Sequence, residues 1–179
     1  MLATCQLIKG PKFLCKDIVR HAVVEGSFTF FFAPQTATDE TSARDAVGFV
    51  VFMVVLNQEQ KPILIAEIKD DRWANEPDKR QKADTQMRQR YDQMLPNCPI
   101  PHLYGLSLLG TSLRVYCGDK VTGEITPHFV SRPNADRILP PDFLEGWGWD
   151  LDILSPDGLK KMQEIVTYIK AEAANVVGQ

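Results

Sequence analysis

Apolar residues recur at helical spacing over residues 11–25, where Leu14, Ile18, Val19, Ala22 and Val23 fall on one face, with Pro11 suited to a first turn and Gly26 past the end. The period then changes. SFTFFFAP at 27–34 is rich in Phe and Thr and stops at a proline, which predicts a strand, and polar QTATDETSARD predicts a loop. Two runs almost free of polar residues follow, AVGFVVFMVVL at 46–56 and PILIAEIK at 62–69, separated by NQEQK. Such β-branched runs predict neighbouring central strands buried on both faces, and the short connection predicts an antiparallel hairpin.

Helical spacing returns over 76–95. Asn75, Glu76, Pro77 and Asp78 suit a helix start, and Ala83, Met87, Tyr91, Met94 and Leu95 make its apolar stripe. HLYGLSLLG and SLRVYCGD flank a turn at Gly110-Thr111-Ser112 and predict a strand pair, with EITPHFV as a peripheral strand. Ser155-Pro156-Asp157 predicts the cap of a final helix whose apolar face is Leu159, Met162, Ile165, Val166 and Ile169. This order predicts an α/β fold, a three-layer αβα sandwich around a central mixed β-sheet, as a single domain over 1–179.

Composition narrows the class. With 179 residues, 44% hydrophobic and 24% charged, the chain is neither disordered nor collagen-like. Twenty Lys+Arg against 23 Asp+Glu exclude a strongly basic coat protein, yet leave room for a local basic groove that binds nucleic acid. Cys5, Cys15, Cys98 and Cys117 are scattered, with no C-x-x-C pair, and read as reduced thiols. Cys15 and Cys117 fall on apolar faces and are expected in the core. The longest apolar run is too short to span a membrane and the N-terminus lacks a secretory pattern, so the expectation is an intracellular protein, nuclear or cytoplasmic, with no membrane partner.

The chemistry concentrates in Ala66-Glu67-Ile68-Lys69. Strand alternation puts Glu67 and Lys69 on one face, and two opposite charges at the end of an apolar strand are costly to desolvate unless paired. An isolated E-x-K is by itself a local ion pair. Asp45 precedes the neighbouring strand, so a hairpin brings it toward the strand end that carries Glu67. Two converging carboxylates, with the Ile68 backbone carbonyl and waters, suit a hard divalent cation such as Mg²⁺ or Mn²⁺. Gln86 lies at the edge of the buried face of the following helix, placed to orient Lys69 or a bound water.

Together, order and motif resemble the PD-(D/E)XK nuclease superfamily, whose restriction-endonuclease-like core runs α-β-β-β-α-β; the likeness covers roughly residues 11–118, with the last helix added. PILIAEIKDD, the Gln/Arg-rich helix and LYGLSLLGTSLRVY are also similar to uncharacterised fungal members. Arg44 stands where the motif's variable proline would be. The resemblance implies Asp45, Glu67, Lys69 and Gln86 as catalytic residues and metal-dependent hydrolysis of phosphodiesters in DNA, with RNA left open. In that family's chemistry the carboxylates bind one or two Mg²⁺ ions and the lysine positions the attacking water. It further implies Glu25, at the end of the first helix, as an additional metal ligand, and a homodimer as the form in which many relatives cut both strands. The alternative is a catalytically inactive nuclease-fold module that binds nucleic acid or another protein.

Lys79, Arg80, Lys82, Arg88 and Arg90 form a basic run that reads either as a track for a phosphate backbone or as a solvated helix face, with Arg114 a weaker candidate for the same contact. Asp70 and Asp71, directly after the motif, read either as ligands of a second metal or as solvent-facing loop acids that begin the connection to the helix. His21, His102 and His128 are isolated from carboxylate patterns, which disfavours a histidine-based hydrolase. Trp147 and Trp149 read as base-stacking residues or as a plug packing the last helix onto the sheet.

Overall fold

The computed structural model describes residues 31–35, 50–56, 60–134, 137–144 and 148–177. The helix expected over 11–25, Cys15, His21 and Trp147 lie outside the described residues, as do Glu25 and Asp45.

The expected hairpin is present. Strands β1 (Phe31–Gln35), β2 (Val50–Leu56) and β3 (Pro62–Lys69) form an antiparallel meander, with Val50 registered against Lys69 and Val51 against Ile68. Pro34 does not end β1 but pairs with Met53 within it. Among the described residues β1 is the edge of the sheet, where a missing N–H costs no ladder bond. All eight residues of β3 are buried, as a strand flanked on both sides and covered on both faces requires.

After β3 the chain makes a 3-10 turn (Asp71–Asn75) and helix α1 (Pro77–Met94), then returns as β4 (His102–Leu109), parallel to β3. A parallel neighbour cannot be reached by a tight turn, and the helix supplies the crossover. β5 (Ser112–Asp119) follows antiparallel to β4 through a turn whose first residue, Gly110, has φ +64°. That left-handed conformation is what a two-residue hairpin turn demands of its first position. EITPHFV contributes only β6 (Ile125–Thr126), and β7 (Leu151–Asp152) pairs with the other end of β5. The result is a mixed α/β sheet in the order β1-β2-β3-β4-β5-β6, with helix α2 (Pro156–Val177) closing the chain.

The two helices occupy opposite faces. Tyr91 of α1 lies over Gly105 and Gly118, whereas Tyr168 of α2 packs edge-on against His102 and Tyr104, which point the other way along β4. Met87, Tyr91, Ile63, Ile65 and Leu103 fill the α1 side; Leu106, Leu108, Met162, Ile165 and Ile169 fill the α2 side. Ser155 caps α2 by accepting from the Gly158 amide at 3.0 Å. Leu159, expected on the buried face of this helix, is 43% exposed, and Ala173 is buried instead, so the inner stripe begins one turn later. Among the described residues no helix is long and apolar enough to cross a membrane.

Candidate functional site

Strand alternation places Glu67 and Lys69 side by side beneath α1, each 2% exposed. The Lys69 ammonium sits 2.9 Å from Glu67 Oε1, donates to Gln86 Oε1 at 2.7 Å, and lies 4.6 Å from the centre of the Trp73 ring. Burial pushes its pKa below the ordinary 10.5; the Glu67 carboxylate pulls it back up, and the nearby charges of Lys82 and Arg90 push it down again. Glu67 Oε2 is buried with no hydrogen-bond partner among the described residues. An acceptor left bare in this way is expensive, and the lone pairs of this oxygen are uncommitted at the heart of the site.

Local sequence explains two of these contacts. The side chain of Asp70 accepts from the Arg72 amide at 3.1 Å and from its guanidinium at 2.9 Å, closing the 3-10 turn that swings Trp73 over Lys69. The guanidinium of Arg72, with its amide, holds the half-buried Asp70 carboxyl well below the usual carboxylate range. Asp71 is exposed at the start of the same turn, as a loop acid should be. Gln86 is half-buried one helical face round from Ala83 and Met87, near enough to the sheet to reach a long lysine.

A second buried cluster adjoins the pair, and its centre, Asp84, reads from sequence only as one acid in a basic run. Asp84 is 1% exposed; it accepts from Arg88 Nε at 2.9 Å and Tyr116 Oη at 2.9 Å, and lies 3.5 Å from Arg114 Nη2. The signals were the i,i+4 spacing of Asp84 and Arg88, and the alternation of Arg114 and Tyr116 in a buried strand.

These contacts divide the basic run. Arg80 is 3% exposed and donates to the carbonyls of Ala74, Pro141 and Phe143. Its expected role against a phosphate backbone is therefore corrected: the guanidinium is spent inside the fold, tying the 137–144 segment to α1. Arg88 is held by Asp84 and by the Pro127 carbonyl. Lys79 is paired with Glu76 at 2.8 Å. Lys82 is exposed and Arg90 half-buried, and these two direct their charge toward Lys69.

Other expectations change as well. Trp149 does not pack α2 onto the sheet; its ring lies 5.0 Å from the Arg114 guanidinium, on the α1 side. His102 is not isolated, since Nδ1 is 2.6 Å from Tyr168 Oη and Nε2 is 3.4 Å from Asp119. It stands at the opposite end of β4 from Ser107, the partner of Glu67. His128 is exposed and 3.5 Å from Glu124. Cys98 is buried and Cys117 half-buried, both as free thiols raised by burial.

Among the described residues no group of three or more His, Cys, Asp or Glu side chains gathers to hold a metal ion. Glu67 supplies one carboxylate, and the other two ligands expected from sequence, Asp45 and Glu25, are outside the described residues. No family model, curated protein or solved structure matches this chain.

Proposed function

We infer that the protein is a metal-dependent nuclease that hydrolyses phosphodiester bonds in DNA from a restriction-endonuclease-like core, with Glu67 and Lys69 at its centre and Asp45 as the second carboxylate. One observation carries the reading: Glu67 keeps a buried, unpartnered oxygen while its neighbour Lys69 is fixed by Gln86. The antiparallel meander followed by a helix and a parallel fourth strand agrees with that core. Asp45 stands five residues before Val50, and Val50 is registered against Lys69, so the chain enters β2 at the site's end of the sheet.

The residues fit a hard divalent cation. Glu67 Oε2 is an oxygen donor with no hydrogen-bond partner among the described residues, and the Ile68 carbonyl carries a second lone pair beyond its ladder bond. Mg²⁺ or Mn²⁺ held there by Glu67, Asp45 and Ile68 would polarise the scissile phosphate and acidify a water. Lys69 contributes a fixed positive charge and an N–H beside that water. Gln86 and the Trp73 ring keep the ammonium from collapsing wholly onto Glu67. Lys82 and Arg90 give the approach to Lys69 the sign a polynucleotide needs.

Cleavage of supercoiled plasmid and of single-stranded DNA with Mg²⁺, Mn²⁺ or EDTA tests this, run beside Glu67→Gln and Lys69→Gln, with melting curves to verify folding. Metal-dependent cutting that vanishes in both folded variants is the expected result. A second reading, an inactive nuclease-fold module, is favoured by the near-complete burial and mutual pairing of Glu67 and Lys69. It prevails if the wild type never cuts and calorimetry finds no Mg²⁺ or Mn²⁺ binding.

A further inference from the structure

Glu67 Oε2 is not the only bare atom on this face. Ser107 Oγ, Arg114 Nε and Nη1, and Trp149 Nε1 are also buried with no hydrogen-bond partner among the described residues. They are neighbours. Glu67 is registered against Ser107 and Ser107 against Arg114, so the three form one row across β3, β4 and β5 beneath α1. The Trp149 ring stands 5.0 Å from the Arg114 guanidinium, and Gly148 is packed so close that a Cβ there would fall 2.5 Å from Arg114 Cδ.

Among the described residues the charges in this layer do not cancel. Its fully buried members are Lys69, Arg80 and Arg114 against Glu67 and Asp84, and half-buried Arg88 adds another cation. Lys69 takes Glu67, Arg80 is spread over three carbonyls, and Asp84 is already occupied by Arg88 and Tyr116. Arg114 is left with a 3.5 Å approach of Nη2 to that occupied carboxylate, and among the described residues its Nε and Nη1 have no hydrogen-bond partner. A guanidinium cannot shed its proton, so at 2% exposure it remains a buried cation short of an anion among the described residues.

We propose that Arg114, Ser107 and Trp149 form a binding site for one phosphate group, alongside the Glu67–Lys69 pair. The unused donors are two guanidinium nitrogens, a hydroxyl and an indole N–H, approaching from a strand, its neighbour and a loop. A tetrahedral oxyanion presents acceptors in several directions at once, whereas a planar carboxylate is met along one edge of a guanidinium. Tyr116 and Trp149 flank the guanidinium at 5.1 and 5.0 Å and hold its plane. Trp149 is half-buried, so one side of this cluster borders solvent. The proposal requires binding alone, and stands whether or not the protein cuts DNA.

The test uses the full chain, ¹⁵N-labelled and in EDTA, titrated with sodium phosphate against sodium chloride of matched ionic strength. Trp149→Phe identifies the Trp149 indole resonance. Phosphate should move that resonance downfield in a saturable way, chloride should not, and Ser107→Ala and Arg114→Lys should weaken phosphate binding about tenfold or more, the worth of a hydrogen bond to a charged acceptor. If Arg114→Lys fails to fold, Ser107→Ala decides alone. An unmoved resonance, an equal response to chloride, or wild-type affinity in the folded variants overturns the proposal. Oligonucleotides with and without a 5′-phosphate then identify the source: a response to both assigns a backbone phosphodiester, and a response to the phosphorylated strand alone a terminal phosphate. Glu67→Gln separates this result from the nuclease reading, because it removes the metal carboxylate but should leave phosphate affinity equal or higher.

Discussion

Lys69 is held by three different forces, an ion pair, a neutral acceptor and an aromatic face, and each leaves its own mark on stability. Lys69→Met strands the Glu67 carboxylate in the interior, and a denaturant titration should show a loss of about 3–5 kcal/mol. The double variant Glu67→Gln/Lys69→Met removes both charges and should recover most of that loss, or exceed the wild type; a double variant weaker than the single one would contradict this account. The alkaline limb has a definite sign. Because burial lowers the pKa of Lys69 below 10.5, the unfolded chain keeps the proton over a window in which the folded protein has lost it. Stability of the wild type relative to the double variant should therefore rise with pH between that lowered value and 10.5, and be flat below it. At this scale the sequence was informative where period alone decides. Glu67 and Lys69 share a face because strand side chains alternate, and the Asp70–Arg72 turn brings Trp73 over Lys69, but Asp84 meets Arg114 and Tyr116 through contacts no local pattern encodes.

Between elements, the fit of α1 on the sheet depends on two missing side chains. Tyr91 lies over Gly105 and Gly118 and donates to the Leu103 carbonyl at 3.0 Å. A Cβ on Gly105 would come within 2.7 Å of the Tyr91 hydroxyl and 3.1 Å of the Met87 sulfur, so Gly105→Ala should cost about 1–3 kcal/mol by overpacking. Unchanged stability would mean that the helix can lift without loss. The helix also sorts its cations. Lys82 and Arg90 act on Lys69 while Arg80 is buried, so Lys82→Ala/Arg90→Ala should weaken DNA binding and reduce the salt slope of its affinity by about 2. Arg80→Ala should instead lower the melting temperature, by freeing the Phe143 and Pro141 carbonyls from their donor. The amphipathic stripe of α1 was visible in its apolar members. Arg80 and Asp84 on the same inner face were not, because their burial depends on partners contributed by residues 114–143.

For the whole molecule, a cation bound in the folded state alone stabilises that state by mass action. If Glu67 is its ligand, millimolar Mn²⁺ or Mg²⁺ should raise the melting temperature of the wild type by several degrees and leave Glu67→Gln unmoved; equal shifts in both would place the metal elsewhere. The sequence by itself determined strands β2 to β5, the helix between β3 and β4 and the placing of a carboxylate and a lysine on one face at one strand end, because periods of 2 and 3.6 and the chemistry of turns act over a few residues. Only the tertiary structure decided which charges go inside, since the cost of burying a charge depends on partners distant in sequence. Residues 84 and 116, and 69 and 86, meet between helix and sheet, and 80 and 143 between the helix and the 137–144 segment. It also decided that Glu67, Ser107 and Arg114 stand in one row, because strand register, which no single segment carries, sets which residues are neighbours across a sheet.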